Sequence, residues 1–250
     1  MITAMVLTRN SADSLTDCLG SLTFCDEIIV IDDNSTDATV MVAQKAGARV
    51  YRRALGANFS AQRNFGLSKA KDGWVIFVDS DEVVSSKLAD EISVSVSSSA
   101  FVAYRLKRTD FIFGRLLKHG ETGNIFLIRL AKKNAGLWIS PVHETWEIKG
   151  TVGRLKSPLM HYPHPTISQF LSDINEYSTL RARDLFSRRE KSSYFTVLIS
   201  PAAKLIQNYF MKLGFMDGIA GLMHALIMSF HSFLVRGKLY LLWRNSLNTV

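Results

Sequence analysis

Cysteine is scarce in this sequence, and the spacings typical of disulfide-bonded or metal-binding cysteines are missing. Only Cys18 and Cys25 occur among 250 residues, with no Cys-x-x-Cys pair and no metal-ligand spacing to histidine. We therefore expect no disulfide framework and interpret both side chains as reduced thiols. Low-complexity stretches and internal repeats are lacking too, so a chain with 47% apolar residues is expected to fold around a substantial core.

The chain also lacks the marks of a secretory leader. The first apolar segment, residues 2–7, is shorter than a signal-peptide core, and no basic stretch precedes it. A cytoplasmic location is therefore expected. The residues that follow this segment, Thr8, Arg9 and Asn10, include no glycine, which argues against the phosphate loop of a nucleotidyltransferase.

Acidic residues are few in the last hundred positions. Residues 151–250 carry 12 Lys and Arg against 5 Asp and Glu, which is +7 of the net charge of +8. Because Leu, Ile, Met and Phe are abundant there, an anionic lipid surface suits this region better than nucleic acid. A solvated basic helix face is equally compatible with the composition.

Four short apolar runs, separated by stretches with helical character, indicate parallel strands that are buried on both faces. The runs are residues 2–7, 27–31, 49–51 and 74–78. This pattern predicts an α/β fold with a Rossmann-like, mostly parallel sheet. A helix is expected to begin within residues 33–37, where carboxylates and hydroxyls can cap free backbone N–H groups. Such sheets bind ligands beyond the carboxyl ends of their strands, so site residues should follow the strands.

From residue 101 onwards, aromatic and β-branched stretches indicate further strands of a mixed sheet, and near the end of the chain the pattern becomes helical. The residues at the three-and-four spacing of one helix face are Ile167, Phe170, Leu171, Ile174 and Tyr177. We therefore predict a catalytic α/β domain over residues 1–165 and a helical region over residues 166–250.

Residues 215–235 are strongly apolar but are interrupted by Asp217, His224 and His231. A spanning helix needs about 20 mostly apolar residues with few charges. We therefore favour an interfacial or dimer-forming helix over a membrane span. The sequence does not decide whether lipid or a second copy covers it.

Three carboxylates, Asp79, Asp81 and Glu82, follow the strand predicted at residues 74–78. Such a cluster repels itself unless it is neutralised, and Mg²⁺ or Mn²⁺ would neutralise it while leaving coordination positions for a diphosphate. An acidic loop that caps a helix is the alternative. A second acidic pair closes the second predicted strand, and two acidic strand ends on one edge favour a ligand site.

The second acidic pair is Asp32 and Asp33, which could cap a helix or accept hydrogen bonds from a nucleobase or a ribose hydroxyl. Gln62, Arg63 and Asn64 lie early in an expected helix. There the arginine could pair with a phosphate, and the amides could bind sugar or base. All three could equally be solvated.

Glu144 stands beside His143 and between aromatic residues. Partial burial would raise the pKa of its carboxyl group, which suits a general base that takes a proton from a hydroxyl. A satisfied structural His–Glu pair is the simpler alternative. His161 and His164 could help to hold a metal or a diphosphate, although a purely structural role is the simpler interpretation.

The ordered set of these segments resembles the family 2 glycosyltransferases, in particular the subgroup similar to the lipopolysaccharide core β-1,4-glucosyltransferases. The segments that carry the resemblance are residues 27–32, 35–37, 61–65, 74–82, 142–144 and 159–162. Residues 214–218 and the apolar helix that follows are similar to the membrane-associating end of that subgroup. The resemblance covers nearly the whole chain, and the ordered set is far more specific than any one segment.

The resemblance implies an A-type glycosyltransferase fold with a C-terminal helical, membrane-associating extension. It also implies a metal-dependent, inverting transfer of a hexose, glucose first, from a UDP-sugar to a lipid-linked or lipopolysaccharide saccharide acceptor. Catalysis would fall to Glu144 as base and to Asp81. Mg²⁺ or Mn²⁺ would be held by Asp79 and Asp81, with His161 as a further ligand. The residues implied to contact the nucleotide-sugar are Thr8, Asn10, Asp32, Asp33, Gln62, Arg63, Asn64, Asp79 and Ser80.

The Gln-x-x-Arg-Trp motif of processive synthases is lacking, which favours transfer of one sugar per encounter. We expect peripheral attachment to the inner face of the cell membrane, a homodimer as the alternative use of the apolar helix, and no nucleic-acid partner. Two rival functions are weighed against this one. A haloacid-dehalogenase-type phosphatase would carry its Asp-x-Asp motif on the first core strand rather than the fourth. A non-catalytic membrane adaptor would use the carboxylates only as caps.

Overall fold

The computed structural model describes residues 1–98, 100–141, 144–163 and 166–247 and divides into two compact units. Unit 1 consists of Met1–Arg108 and Ile125–His161, and unit 2 of Thr109–Asn124 and Tyr162–Val250. The sequence placed the whole of residues 1–165 in one domain. The structure instead groups the loop at residues 109–124 with the helices, because backbone groups of that loop bond to helical-region residues such as Asp217.

One mixed sheet joins most of the strands. The strands are β1 Ile2–Thr8, β2 Glu27–Asp32, β3 Arg49–Arg52, β4 Trp74–Asp79, β5 Glu82–Val84, β6 Ala103–Ile112, β7 Arg115–Leu116, β8 Ile125–Lys132, β9 Gly136–Ile139, β10 Thr145–Ile148, β11 Val152–Arg154 and β12 Leu159–His161. Their order is β3-β2-β1-β4-β8-β6-β12-β5, with β7 and β11 beside β6 and with β9 and β10 as a separate pair. β1 to β4 are parallel, which confirms the four predicted strands, and β8 pairs antiparallel with β4 and β6.

The described helices divide between the two units. They are α1 Ala12–Gly20, α2 Thr39–Lys45, α3 Phe59–Lys69 and α4 Ser86–Ser97 in unit 1, and α5 Ile167–Ser187, α6 Tyr194–Leu205 and α7 Gly218–Leu247 in unit 2. A π turn, Ile206–Met211, continues α6, and a 3-10 turn, Gly214–Asp217, precedes α7.

The parallel strands are buried on both faces, as their continuous apolar runs predict. In β4, Ile76 and Val78 belong to the core on one face, whereas Val75 and Phe77 belong to the core on the other. The ring of Phe77 packs edge-on against Trp138 of β9, with centroids 5.0 Å apart. This contact holds the β9–β10 hairpin against the sheet, close to the carboxyl end of β4.

The helix expected within residues 33–37 begins later, at Thr39. Its N-cap residue, Ala38, has no capping side chain, but the carboxylate of Asp37 accepts the backbone N–H of Thr39 at 3.0 Å. The carboxylate of Asp32 instead accepts a hydrogen bond from the backbone N–H of Ser35, and Asn34 takes a positive φ of 53°. Side chains that bond to nearby backbone in this way compete with helix formation. The acidic end of β2 is therefore a turn at the sheet edge rather than a helix cap.

α5 is helical, as predicted, but only part of its predicted face is buried. Phe170 and Ile174 are buried, whereas Ile167, Leu171 and Tyr177 remain exposed. The buried stripe is narrow because it is the side of α5 that packs against α7.

α7 is the long apolar helix expected around residues 215–235. Among the described residues, one segment, residues 214–246, is long and apolar enough to cross a membrane, with a mean hydropathy of 1.6. Its C-terminal half has a protein partner, because Val235 and Leu239 pack in one cluster with Ala182 and Leu185 of α5.

Candidate active site

The register of the parallel strands brings the predicted site residues to one edge of the sheet. Thr8 at the end of β1 is the partner of Asp32 at the end of β2. On the other side of β1, Leu7 is the partner of Asp79 at the end of β4. The two acidic strand ends therefore flank the end of β1, where open α/β sheets bind ligands.

Arg63 links the end of β4 to Glu144, the general base proposed from the sequence. Its Nη2 donates to Oδ1 of Asp79 at 2.9 Å, and its Nε donates to Oε1 of Glu144 at 2.9 Å. The guanidinium is buried and lies over the ring of Trp138, 4.7 Å from the centroid. Two carboxylates separated by 65 positions in the sequence are thus held by one rigid fork.

A second arginine, Arg129 on β8, holds Asp79 from the other side. Its Nη2 donates to Oδ2 of Asp79 and also to Oε1 of Glu82 at 3.1 Å. Glu82 is fully buried, and its other oxygen accepts the backbone N–H of Asp79 at 2.9 Å. Two guanidinium groups therefore relieve the repulsion between these carboxylates, for which the sequence had invoked only a metal ion.

The pKa values of Asp79 and Glu82 are shifted in opposite directions. Burial alone would raise the pKa of Asp79, but Arg129 and Arg63 outweigh burial and hold that pKa well below its usual range. Burial dominates at Glu82 and raises its pKa, even though Arg129 opposes the shift. Asp79 is therefore a permanent anion at neutral pH.

Asp81 and His161 are the described residues best placed to hold a divalent ion. Asp81 is partly exposed beyond the end of β4, and its Oδ2 lies 3.3 Å from Nε2 of His161. Mg²⁺ is commonly held by one or two protein carboxylates together with substrate phosphates, so a carboxylate and an imidazole fit such an ion in part. The described residues contain no group of three or more His, Cys, Asp or Glu arranged for a metal. Both oxygens of Asp79 accept hydrogen bonds from guanidinium groups, so Asp79 has fewer free lone pairs to offer a metal than Asp81 has.

The polar residues that follow β1 and β2 bond mainly to nearby backbone groups. Asp33 accepts the backbone N–H of Leu55 at 2.8 Å, and Asn10 accepts that of Thr36 at 2.9 Å. The hydroxyl of Thr8 is buried and has no hydrogen-bond partner among the described residues. An unpaired buried hydroxyl costs free energy, and a bound group that paired with it would recover that cost.

Gln62 and Asn64, both predicted to contact the donor, bond to the protein itself. The amide of Asn64 donates to the carbonyl of Trp138 at 2.8 Å and accepts the N–H of the same residue at 2.9 Å. The amide of Gln62 pairs with the side chain and carbonyl of Arg53. Both amides therefore hold neighbouring elements in place. The hydroxyl of Ser80, at the carboxyl-end edge of the sheet, donates to the hydroxyl of Ser11 at 3.0 Å.

Sequence reasoning did not identify Arg129 or the buried position of Glu82. A signal for the arginine exists, because it is a single charge in the apolar run of β8, and a charge in such a strand needs a buried partner. The roles of His143 and His164 stay outside the description, since both lie among the residues that the structure does not describe.

Comparison with known proteins agrees with this geometry. Residues 3–96 match the family model described as glycosyl transferase family 2. This part of the chain is therefore similar to the family 2 glycosyltransferases. This confirms the family inferred from the ordered motifs, and neither the phosphatase nor the adaptor is favoured.

Relatives that match along nearly the whole chain extend this similarity beyond residues 3–96. The protein is 28% identical to the uncharacterized glycosyltransferase RC0292 of Rickettsia conorii, over 95% of this chain and 89% of the relative. It is 25% identical to the lipopolysaccharide core biosynthesis glycosyltransferase LpsC of Rhizobium meliloti, over 96% and 92%. The crystal structure of Staphylococcus aureus TarS 1-349 superposes with a TM-score of 0.50 at 14% identity, over 98% of this chain and 91% of that one. That likeness confirms the A-type fold.

Proposed function

We propose that this glycosyltransferase is a metal-dependent, inverting, non-processive enzyme that moves a hexose, glucose first, from a UDP-sugar to a saccharide acceptor. The acceptor would belong to lipopolysaccharide core or related glycolipid synthesis. Similarity to LpsC along nearly the whole chain supports the acceptor class. TarS, which shares the fold, has been solved in complex with UDP, and this supports the donor class.

The observation that carries the proposal is the bridge that Arg63 makes between Glu144 and Asp79. It fixes a carboxylate from the β9–β10 hairpin against the strand end where the donor is proposed to bind. Because the guanidinium occupies Oε1 of Glu144, it orients that carboxylate and leaves Oε2 to accept a proton. Orientation of a base within hydrogen-bond reach of its substrate is the first requirement of general base catalysis.

In the proposed reaction, Glu144 takes the proton of the acceptor hydroxyl as its oxygen attacks the anomeric carbon of the donor. The attack comes from the face opposite the diphosphate, so the bond from carbon to the diphosphate oxygen breaks and its electron pair leaves with UDP. A bound Mg²⁺ or Mn²⁺ would supply charge neutralisation at the departing diphosphate. Asp81 and His161 would hold that ion.

The donor-side residues would bind the nucleotide. We propose that Asp33 accepts hydrogen bonds from base or ribose, and that the unpaired hydroxyl of Thr8 is satisfied by the bound donor. Asp32 is fully buried and its carboxylate accepts the N–H of Ser35, so we assign it the support of this turn in place of the direct contact expected from the sequence. Asp79 would act through its fixed negative charge and the two arginines that hold it, rather than as the main metal ligand.

We also propose that residues 1–165 carry the chemistry and that residues 166–250 attach the enzyme to the inner face of an anionic membrane. The net charge of +7 in residues 151–250 and the apolar segment at residues 214–246 support attachment. Dimerisation through the same apolar surface is the competing use.

The donor and metal are tested by turnover of a panel of nucleotide-sugars with Mg²⁺, with Mn²⁺ and with EDTA, following released nucleotide. Asp81→Ala should abolish metal-dependent turnover, whereas Asp90→Ala, which removes an exposed acid on α4, should not. Absence of turnover with every donor, or full activity in EDTA, would contradict the proposal.

A further inference from the structure

α6, with the π turn that continues it, and α7 each carry a stripe of exposed apolar side chains. On α6 the stripe is Phe195, Leu198 and Ile199, followed by Ile206 of the π turn, and on α7 it is Ile219, Leu222, Leu226, Phe230 and Phe233. All are exposed, and their spacing of three and four residues places each set on one side of its helix. α6 has no buried residue at all. Water is a poor environment for such a continuous apolar surface.

The charges within this helix pair are few, and two are bound away from the stripes. Between residues 192 and 235 the charged residues are Lys204, Lys212 and Asp217. Lys204 donates to Glu121 at 2.8 Å, and buried Asp217 accepts the backbone N–H groups of residues 118 and 119. The loop at residues 117–121 thus supplies hydrogen-bond partners for Lys204 and Asp217, and neither charge lies within the apolar stripes.

Basic residues mark both ends of the pair. Arg189 and Lys191, both exposed, precede α6 with the exposed Glu190 between them, so this end keeps a net positive charge. The hydroxyl of Ser192 donates to the carbonyl of Arg236 at 2.9 Å, which sets this end beside α7. At the other end Lys212 is exposed, and its carbonyl accepts the N–H of Gly120 at 2.9 Å. An apolar surface with basic residues at its ends is complementary to anionic lipid.

We propose that α6 and α7 lie in the plane of an anionic membrane surface, with the two stripes among the acyl chains and the basic ends at the phosphates. This rests on the attachment in the proposed function and specifies its face and orientation. A span is disfavoured because the loop at residues 117–121 carries polar groups and connects strand β7 on one side to strand β8 on the other. A polar loop that leaves and rejoins a sheet does not cross a bilayer.

The first experiment is co-sedimentation of the full chain with sealed vesicles of phosphatidylcholine, alone or with a minority of phosphatidylglycerol. The stripe variant is F195S/I199S/I219S, whose side chains are 71%, 62% and 77% exposed. The control is M41S/V94S/L137S, which removes apolar side chains that are 51%, 74% and 61% exposed in unit 1. We expect binding to anionic vesicles to fall at least about tenfold in the stripe variant and to stay within about twofold in the control.

Equal binding of the stripe variant and wild type would overturn the proposal, as would equal loss in the control. So would a dimer that the stripe variant dissociates, with no vesicle binding by wild type, because a second copy would then be the partner. Single variants F195S and I219S give the same comparison if the triple variant misfolds. Turnover of donor in solution should be unaffected by all of them, so a failed membrane inference is distinguishable from a failed enzyme.

Orientation is tested with K191C and K212C, one at each end of the helix pair. Full-length protein is bound to sealed anionic vesicles, and a membrane-impermeant maleimide is added outside. Both cysteines should be labelled above the wild-type background. Protection of one end only would indicate a span and contradict the in-plane arrangement.

Discussion

Replacing Arg129 should expose the energetic cost of the buried carboxylates that it holds. Arg129 and Glu82 are both buried, and Arg129→Met would leave Glu82 with the backbone N–H of Asp79 as its remaining hydrogen-bond donor among the described residues. Removing one partner of a buried ion pair typically costs about 3–5 kcal/mol, because the other charge stays buried without compensation. We therefore expect the free energy of unfolding to fall by about 3 kcal/mol or more.

The same reasoning predicts rescue. Glu82→Gln removes the buried charge and should recover much of the loss in the double variant, although Glu82→Gln alone should destabilise the wild type. The assay is urea unfolding of all four proteins, analysed as a double-mutant cycle. Because α5 to α7 form a separate unit, the transition should be followed by a signal from unit 1 such as the fluorescence of its buried tryptophans.

The loss in Arg129→Met should also depend on pH. Burial raises the pKa of Glu82 in the folded protein, and Arg129 opposes that shift. Removing Arg129 should raise the pKa further, so the folded variant binds a proton that wild type binds less readily. A carboxyl whose folded pKa is raised favours folding at low pH and loses that advantage as pH rises through the folded pKa. The deficit should therefore be smaller at about pH 5 than at about pH 8. A deficit below about 1 kcal/mol, no rescue by Glu82→Gln, or a deficit that grows on acidification would refute the reasoning.

Three further predictions follow from single side chains. Asn64→Leu should lower the free energy of unfolding by about 2 kcal/mol or more, because both backbone groups of buried Trp138 lose their partner, and normal stability in urea would contradict this. His161→Gln should raise the Mn²⁺ concentration for half-maximal turnover by about tenfold or more, and an unchanged metal titration would remove it from the metal site. Burial raises the pKa of the Cys18 thiol well above its usual range and that of Cys25 to about 12. Neither thiol should react with a disulfide reagent at about pH 8 until the chain unfolds, so rapid labelling of folded protein would be the contrary result.

The strands were predictable because burial on both faces leaves a continuous apolar run, which is a local pattern. The acidic ends of β2 and β4 followed from the same reasoning. The predicted start of α2 was wrong because Asp32 and Ser35 form a competing turn, and the backbone N–H of Asn10, just beyond β1, donates to the hydroxyl of Ser35. Local propensity could not weigh that contact.

The links within the site could not be predicted, because they join residues that are far apart in sequence. Arg63 meets Glu144 across 81 positions, and Asn64 meets Trp138 across 74. Arg63 and Asn64, neighbours in one helix turn, therefore have different partners: Arg63 pairs with carboxylates of the site, and Asn64 pairs with backbone groups of Trp138. Residue type suggested ligands for both, whereas only the fold decides which side chain the protein uses for itself.

The three carboxylates of the site lie in different environments, which the sequence motifs alone do not reveal. Asp79 is fixed as an anion by two arginines, Asp81 faces His161 at the edge, and Glu144 is oriented by Arg63. Groups with distinct environments can take distinct roles in one reaction. The role of Glu144 is therefore the claim on which the account depends most.

The measurement that tests this claim most directly is single-turnover transfer from UDP-glucose carrying ¹³C at the anomeric carbon to a lipopolysaccharide core acceptor, read by NMR. Glu144→Gln keeps a side-chain oxygen that can accept from Arg63 but cannot take the proton, and Glu147→Gln on β10 is the matched control. The account predicts a β-linked product, a rate that falls by about a thousandfold in Glu144→Gln with UDP-glucose binding retained, and a wild-type rate in the control. An α-linked product, or transfer at the wild-type rate by Glu144→Gln, would contradict it.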